Sequence, residues 1–171
     1  MLSGHINKTL DIWIVELGKY NISQLNTKPS PEKWSLGQVY MHLLEDTSFY
    51  LEQVKICVCN NDYSTGVKSP VAELMFLRND FPDEELAGAP ANLYMPQPKG
   101  VQQLMHSFLD LKNQIHHVAM LVSQTSCEGK TQHPGLGYFS AHEWLHFTEM
   151  HLRHHLRQKK RIDNFLEITH S

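Results

Sequence analysis

The chain has 171 residues, of which 41% are hydrophobic, and a formal net charge of −3 at pH 7. This length predicts one domain with a proper core over residues 1–171, and the absence of a basic patch gives no reason to expect nucleic acid as a partner. No apolar run approaches a membrane span and the first residues lack a signal-peptide pattern, so we expect a cytoplasmic protein without a membrane partner.

The three cysteines predict reduced thiols and no disulfide framework. Cys57, Cys59 and Cys127 cannot form a closed set of pairs. The Cys57-x-Cys59 spacing could bind a metal, but on a helix two residues apart point about 200° away from each other. We therefore interpret both as incidental residues near a helix end. Histidine is the unusual residue of this composition, with 12 copies.

Two amphipathic helices are predicted in the first third of the chain. Apolar residues recur at three- and four-residue spacing over residues 2–25, although Gly18 weakens the centre of this helix. A turn-rich segment with two prolines follows. The second helix is predicted over residues 35–58, with Ser35 as its N-cap and Gln38 at the capping-box position.

A long irregular connection with five prolines is predicted over residues 60–98. It includes a short helix at about residues 71–79, and connections of this length usually have a function or cover another element. The third long helix is predicted over residues 99–124, with an uninterrupted apolar stripe. We expect three of its histidines to be exposed or at the border of the stripe, and none to be a ligand: His106, His116 and His117.

The last helix is predicted from Ala141 to about Leu166, after a glycine-rich loop at residues 125–139. Ser140 is a suitable N-cap, and Glu143 completes a capping box. Four long amphipathic helices and no convincing strand predict an all-α fold, a four-helix bundle with one long crossover between its second and third helices.

One metal-type pattern in the last helix matches the zincin proteases. It is His142-Glu143-x-x-His146, but the metzincin extension is absent: Glu149 stands where that motif has glycine, and His151 comes one residue too early to be the third ligand. At 100° per residue the two histidines point away from the large apolar residues. They share that side, which we expect to be solvated, with four charged residues: Glu149, Arg153, Arg157 and Lys160. The pattern is therefore interpreted as accidental.

A second pattern, His151-x-x-x-His155, falls in the middle of the buried face of the same helix, together with Trp144 and Ile162. Residues i and i+4 point the same way from a helix, and an unpaired buried imidazole is costly. A metal ion would satisfy both rings. The alternative is two histidines at the edge of the core, each hydrogen-bonded to neighbours, and the helix pattern leaves both possibilities open.

A third histidine lies in the second helix. His42 is followed at i+4 by Asp46, which could orient the ring or form a plain surface pair with it. If the second and fourth long helices face each other, His42, His151 and His155 converge as a three-histidine site with open positions. No second carboxylate or serine is clearly placed as a catalytic base, so Asp46 is the best candidate for that role. His133, in the loop before the last helix, is expected to be solvated.

These residues resemble a known family. The pairing of Trp34-Ser35-x-Gly37-x-x-x-x-His42-Leu43 with the late His151-x-x-His154-His155-x-x-Gln158 is similar to the DinB superfamily, which includes the YfiT-like metal-dependent hydrolases and the bacillithiol and mycothiol S-transferases. The segment from His133-Pro134 to Glu143-Trp144, with the late motif, resembles the DUF1569 branch. The resemblance covers essentially the whole chain. His154 matches the doubled histidine of the family but points to the edge of the inner face.

The resemblance implies a DinB/YfiT-like bundle and a divalent metal ion, zinc or nickel, held by His42, His151 and His155. It also implies a possible homodimer acting on a small-molecule substrate. A metal in such a site can activate water or a thiolate, so hydrolysis and thiol S-transfer both remain open. The alternatives are a non-enzymatic bundle that binds metal or ligand in a stress response, and a structural protein in which the histidines are hydrogen-bonded core groups.

Overall fold

Six α-helices and one β-hairpin are formed by the residues that the computed structural model describes, which are 2–82 and 94–169. Four of the helices are long, and they match the four predicted from apolar periodicity. In chain order the elements are α1 (Leu2–Leu17), α2 (Ile22–Asn26), α3 (Leu36–Cys57), α4 (Pro70–Arg78), α5 (Val101–Gln124), β1 (Lys130–His133), β2 (Gly137–Ser140) and α6 (Ala141–Thr169).

The four long helices form a bundle, as the sequence predicts. Helix α3 packs against α5 and α6, and α1 packs against the same two helices from the other side. The core between them consists of aliphatic and aromatic side chains from all four, among which Trp13, Tyr40, Phe108 and Trp144 are the largest fully buried ones. Since α3 and α6 are neighbours, side chains on their inner faces can meet. None of the described helices is long and apolar enough to cross a membrane.

The first predicted helix, residues 2–25, is wrong in its extent. The structure ends α1 at Leu17 and begins the short α2 at Ile22. Asn21 caps the new helix: its side chain accepts from the Gln24 amide at 2.9 Å, and the Gln24 side chain accepts from the Asn21 amide at 2.9 Å. A reciprocal cap of this kind satisfies backbone donors that a continuous helix would have bonded, so Asn21 starts a separate helix here.

The predicted caps of α3 and α6 are both present. The Ser35 hydroxyl accepts from the Gln38 amide at 3.1 Å, and the Gln38 side chain accepts from the Ser35 amide at 3.1 Å. At α6 the Ser140 amide donates to Glu143 Oε2 at 2.8 Å, and the Glu143 amide donates to the Ser140 hydroxyl at 3.3 Å. Lys68 also pairs with the Glu143 carboxylate. Glu143 therefore has the structural role that the sequence indicates.

The prediction that the chain has no convincing strand is wrong. Residues 130–140 form an antiparallel hairpin, in which Lys130 pairs with Ser140 and His133 pairs with Gly137. Gly137 has φ of +84°, and an added Cβ would lie 2.6 Å from the Val67 carbonyl oxygen. Only glycine combines this backbone conformation with so close an approach. The strands are four residues long and mostly half-buried, so they carry no clear alternation of polar and apolar residues.

Part of the predicted crossover lies outside the described residues, at 83–93. The predicted short helix within it, residues 71–79, is confirmed as α4. The C-terminal end of α4 lies on α6, where Asn79 Oδ1 accepts from His146 Nε2 at 2.6 Å. The side of α6 that carries His146 is therefore covered by α4 in part, and the expectation that it is fully solvated was wrong.

Glu149, expected on the same solvated side, is also buried. Its Oε1 accepts from the Thr9 hydroxyl at 3.1 Å, and its carboxylate receives the Arg153 guanidinium at 3.1 to 3.3 Å. Helical phase gives the direction of a side chain but not what packs on it, and here α1 supplies the partner.

A buried ionic cluster joins α6 to the end of α1. The Lys159 side chain is only 6% exposed, and its Nζ lies 2.9 Å from Glu16 Oε2, 2.7 Å from Asp163 Oδ2 and 2.8 Å from the Tyr20 hydroxyl. These hydrogen bonds replace the lost hydration of the ammonium group. Burial works against its charge, but the three partners together raise the pKa of Lys159 above its ordinary value.

Replacing Lys159 tests this cluster. Lys159→Met should lower the free energy of unfolding by about 2 kcal/mol, because two partly buried carboxylates lose their shared cation. The matched control is Lys160→Met at the exposed neighbouring position, which should change stability by less than about 0.5 kcal/mol. Urea unfolding followed by circular dichroism measures both, and equal stability of the two variants would show that the cluster contributes nothing.

Candidate metal centre

Three histidines predicted from the sequence meet between α3 and α6. His42 comes from the second turn of α3, and His151 and His155 come from adjacent turns of α6. The i, i+4 spacing places the two α6 rings on one face, as expected. All three residues are buried, with exposed fractions of 4%, 5% and 8%.

The Nε2 atoms of the three rings point at a common position. His151 Nε2 lies 3.2 Å from His42 Nε2 and 3.1 Å from His155 Nε2. Ligand nitrogens bound about 2.1 Å from one Zn²⁺ ion are roughly 3.0 to 3.4 Å apart in octahedral or tetrahedral geometry. Among residues 2–82 and 94–169 this is the one group of three or more histidine, cysteine or acidic side chains with such convergence.

The outer nitrogen of one ring fixes its tautomer. His155 Nδ1 lies 2.7 Å from Gln158 Oε1, which can only accept, so Nδ1 carries the proton and Nε2 presents a lone pair to the centre. His42 Nδ1 lies 3.5 Å from Asp46 Oδ1 without a hydrogen bond between them, and the nearby carboxylate favours a proton on Nδ1 of that ring too. Such outer partners commonly orient histidine ligands of a metal.

Burial keeps the three imidazoles neutral at physiological pH. It lowers the pKa of His42 to about 4 and that of His155 to about 3, the latter helped by the neighbouring His42. The pKa of His151 also lies well below its ordinary value, because burial and the adjacent rings both oppose a positive charge. Neutral imidazole is the form that binds metal ions.

Hydrogen bonds alone do not satisfy this cluster. His151 Nε2 contacts two other Nε2 atoms, yet one ring nitrogen has either one proton to donate or one lone pair to accept with. The Nδ1 atoms of His42 and His151 are buried without a hydrogen-bond partner. Converging lone pairs in a buried, neutral cluster need a positive charge among them. The donor set therefore fits a divalent cation, and the three histidines could hold one.

Asp46 lies at the edge of the cluster. Its Oδ2 is 3.7 Å from His151 Nε2 and accepts a hydrogen bond from the Tyr50 hydroxyl at 3.1 Å. Burial raises the pKa of the carboxyl group to about 6, although the hydrogen bond from Tyr50 acts in the opposite direction. The side chain remains 30% exposed, so Asp46 links the buried nitrogens to the solvent.

Aromatic rings surround the histidines on several sides. Trp34 packs on His42 with ring centroids 5.0 Å apart, Tyr50 lies 5.5 Å from His151, and Phe81 lies 5.8 Å from the same ring. Such walls exclude water and strengthen electrostatic interactions inside the site.

A family model described as the DinB superfamily matches residues 5–158, a range that includes all three histidines. The chain belongs to the DinB superfamily. Among curated proteins none matches it. The structural bundle is therefore the DinB type, here with six helices and a small hairpin among the described residues.

The zincin-like pattern does not form a site in this DinB protein. His142 is exposed, and His146 is hydrogen-bonded to Asn79 on the opposite side of α6 from the three-histidine cluster. His106, His116 and His117 are exposed, as predicted. His142 and His146 of the zincin-like pattern thus point away from the buried pair, His151 and His155, as the rotation of 100° per residue predicts.

Two other histidines were less well predicted. His133 is half-buried and stacks on Trp144 with ring centroids 5.4 Å apart, so its predicted solvation is wrong. The hairpin, which the sequence did not reveal, turns this ring inward. His154 is half-buried at the border of the inner face, where its Nδ1 accepts from Arg157 Nη2 at 2.9 Å.

Sequence reasoning missed two residues of the site, Tyr50 and Phe81. Tyr50 follows Asp46 by four residues on one face of α3, so the same spacing argument that joins His42 to Asp46 could have included it. Phe81 follows α4 within the irregular connection, and no periodic pattern indicates where its ring lies.

Metal binding should depend on His151 and not on His142. Purified protein loaded with Zn²⁺ and freed of excess ion should contain about one equivalent, and His151→Ala should weaken binding by at least about 100-fold, because a central nitrogen is lost. His142→Ala, which changes the exposed histidine of the zincin-like pattern, should bind as the wild type does. Elemental analysis and competition with a chelator measure both. Full occupancy in His151→Ala would contradict the assignment.

The metal-free protein should lose stability in mild acid. The folded-state pKa values of His42 and His155 lie below the 6.5 of an unfolded chain, so the unfolded state binds more protons as pH falls from about 6.5 to 4. At pH 4.5 each should reduce the free energy of unfolding by roughly 2 kcal/mol. Urea unfolding of chelator-treated protein at pH 7.0 and 4.5 should show a smaller acid loss for His42→Gln than for His117→Gln, an exposed control. Equal losses would refute the buried, neutral state.

Proposed function

We propose that this DinB protein is a metal-dependent enzyme, either a hydrolase or a thiol S-transferase, whose divalent ion is held by His42, His151 and His155. The observation that carries the proposal is the convergence of three buried Nε2 atoms beside a partly exposed carboxylate. Zinc and nickel suit an all-imidazole donor set. A bound divalent ion would supply Lewis-acid chemistry, lowering the pKa of a water or thiol and polarising a substrate.

The side chains around the cluster have distinct roles in this proposal. Gln158 holds the proton of His155 on Nδ1 and so keeps its Nε2 available. Asp46 is the base that accepts the proton of the nucleophile, because Oδ2 lies at the edge of the cluster and is reachable from solvent. Tyr50 donates to that carboxylate and fixes its orientation. The aromatic walls formed by Trp34 and Phe81 exclude water from the sides.

The proposal also includes the branch of the family, the location, the domain organisation and the assembly of the protein. The motif from His133-Pro134 to Glu143-Trp144 supports a place in the DUF1569 branch. The free thiols of Cys57, Cys59 and Cys127 support a cytoplasmic location. We also propose one domain over residues 1–171, acting on a small molecule as a homodimer.

A second candidate function is a non-enzymatic bundle that binds a metal or small ligand in a stress response. The deep burial of all three histidines favours it, since a storage or sensing site needs no access for a large substrate. An enzyme would turn over a substrate and a binding protein would not, whereas both would contain the metal ion.

The deciding experiment compares wild type, His151→Ala and Asp46→Asn, each loaded with Zn²⁺ or Ni²⁺. Esters, amides and thiol-conjugation substrates form the panel. For an enzyme, His151→Ala should abolish turnover with loss of metal. Asp46→Asn should keep its metal but lower kcat by roughly 100-fold or more, because proton transfer by a positioned base contributes about that much.

Three outcomes contradict parts of the proposal. Stoichiometric metal without turnover on any substrate favours the binding protein. Unchanged kcat in Asp46→Asn removes Asp46 from the mechanism. A wild type that takes up neither ion rejects the metal-dependent function altogether.

A further inference from the structure

The residues that follow α4 are tied to α6 by side chains from three of its turns. Asn79 has a left-handed backbone with φ of +52°. Its carbonyl oxygen accepts from Arg153 Nη2 at 2.6 Å, and its Oδ1 accepts from His146 Nε2 at 2.6 Å. A left-handed asparagine at a helix C-terminus reverses the chain sharply. The turn thereby directs the next two residues back onto α6.

Asp80 is held between two arginines of α6. Arg157 Nη1 lies 3.1 Å and 2.9 Å from the two carboxylate oxygens, and Arg153 Nη1 lies 3.5 Å from Oδ1. Oδ1 also accepts from the Phe81 amide at 2.8 Å. Burial alone would raise the pKa of Asp80, but the hydrogen bonds from Arg157 and the Phe81 amide outweigh it and lower the pKa. The carboxylate is therefore charged and fixed at neutral pH.

Phe81 is the residue that this arrangement places. Its carbonyl oxygen accepts from Arg157 Nη2 at 3.2 Å, and its side chain is only 9% exposed. The ring lies 5.1 Å from Phe147, 5.1 Å from His154 and 5.8 Å from His151, measured between centroids. An irregular segment thus contributes a rigid aromatic wall next to the central nitrogen ligand.

We propose that Phe81 is the specificity-determining residue of the three-histidine centre, and that Asp80, clamped by Arg153 and Arg157, positions it. The proposal rests on the metal-dependent function above. Because the Phe81 ring lies 5.8 Å from the His151 ring, it would border a ligand that binds the ion on this side of His151, and it would pack against the apolar part of that ligand. A narrow ligand would fit beside the Phe81 ring, whereas a wide ligand would clash with it.

The clamp explains why one phenylalanine on a connecting segment can have this role. A single exposed ion pair contributes little, and a half-exposed carboxylate such as Asp80 loses part of its interaction to solvent. Here, however, one carboxylate, two carbonyl oxygens and one amide oxygen of consecutive residues are bound by three α6 side chains. Those contacts restrict the backbone at both Asn79 and Phe81, so the ring has little freedom to move aside.

The test uses protein loaded with Co²⁺, whose visible spectrum reports the ligands around the ion. Two thiols are titrated as probes, 2-mercaptoethanol and the wider benzyl mercaptan, and the sulfur-to-cobalt absorption band measures binding of each. Phe81→Ala should shift the ratio of the two dissociation constants by roughly 10-fold in favour of benzyl mercaptan, because an apolar obstacle of several carbons is gone. Phe81→Leu, which keeps most of the bulk, should stay near the wild-type ratio.

Asp80→Asn tests the clamp separately. It should shift the ratio in the same direction as Phe81→Ala but less, and it should speed removal of Co²⁺ by a chelator. Asp11→Asn is the matched control, because it breaks the 2.5 Å ion pair with Lys112 between α1 and α5, away from the histidines. In Asp11→Asn, the ratio of the two thiol dissociation constants and the rate at which a chelator removes Co²⁺ should both equal those of the wild type.

The outcomes separate this proposal from the one it rests on. A wild type without Co²⁺ uptake would overturn both. Normal uptake with the same thiol ratio in Phe81→Ala as in the wild type would overturn the role of Phe81 and leave the metal site intact. A changed ratio in Phe81→Ala with no change in Asp80→Asn would overturn the clamp.

Discussion

The close approach of three buried imidazole nitrogens is the constraint on which the rest of the structure depends. Bringing the Nε2 atoms of His42 and His155 to 3.2 Å and 3.1 Å from that of His151 removes their hydration and leaves lone pairs facing each other. The packing of α3 against α6 must offset this cost in the absence of an ion. That explains why the inner surfaces of these helices combine the cluster with large buried aromatic side chains such as Tyr50 and Phe147, whose rings lie 5.5 Å and 6.4 Å from that of His151.

Helix α6 meets this constraint by using each of its sides for a different contact. One side carries the ligand pair toward α3, a second carries Glu149 toward Thr9 of α1, and a third carries Arg153 and Arg157 toward the turn after α4. Because Arg153 binds both Glu149 and Asn79, the second and third contacts share one guanidinium. The position of the ligand pair is therefore coupled to elements on the far side of the helix.

Periodicity predicted the long helices and the convergent histidines because both depend on the direction of side chains, which 100° per residue determines. It failed for the side of α6 that includes Glu149, because direction does not reveal what packs on a surface. The prediction for His133 is wrong for another reason, since its segment is predicted as a loop but forms part of a hairpin. The hairpin was missed since its strands are too short for a pattern, and Gly137 is required by a distant backbone, that of Val67. Phe81 could not be placed for a related reason: its position is determined by arginines more than 70 residues later in the chain.

The capping box of α6 has a consequence for how the chain can vary in length. Ser140 and Glu143 fix the first turn, and Lys68 and the hairpin hold that turn in place. One residue inserted between this point and His151 would rotate both ligands by about 100° and advance them by about 1.5 Å. The number of residues from 141 to 155 therefore determines where the two ligands point. We expect relatives that keep the three-histidine centre to differ in length in the hairpin turn and in the connection before α5. Insertions there do not change the number of residues between the start of a helix and a histidine ligand.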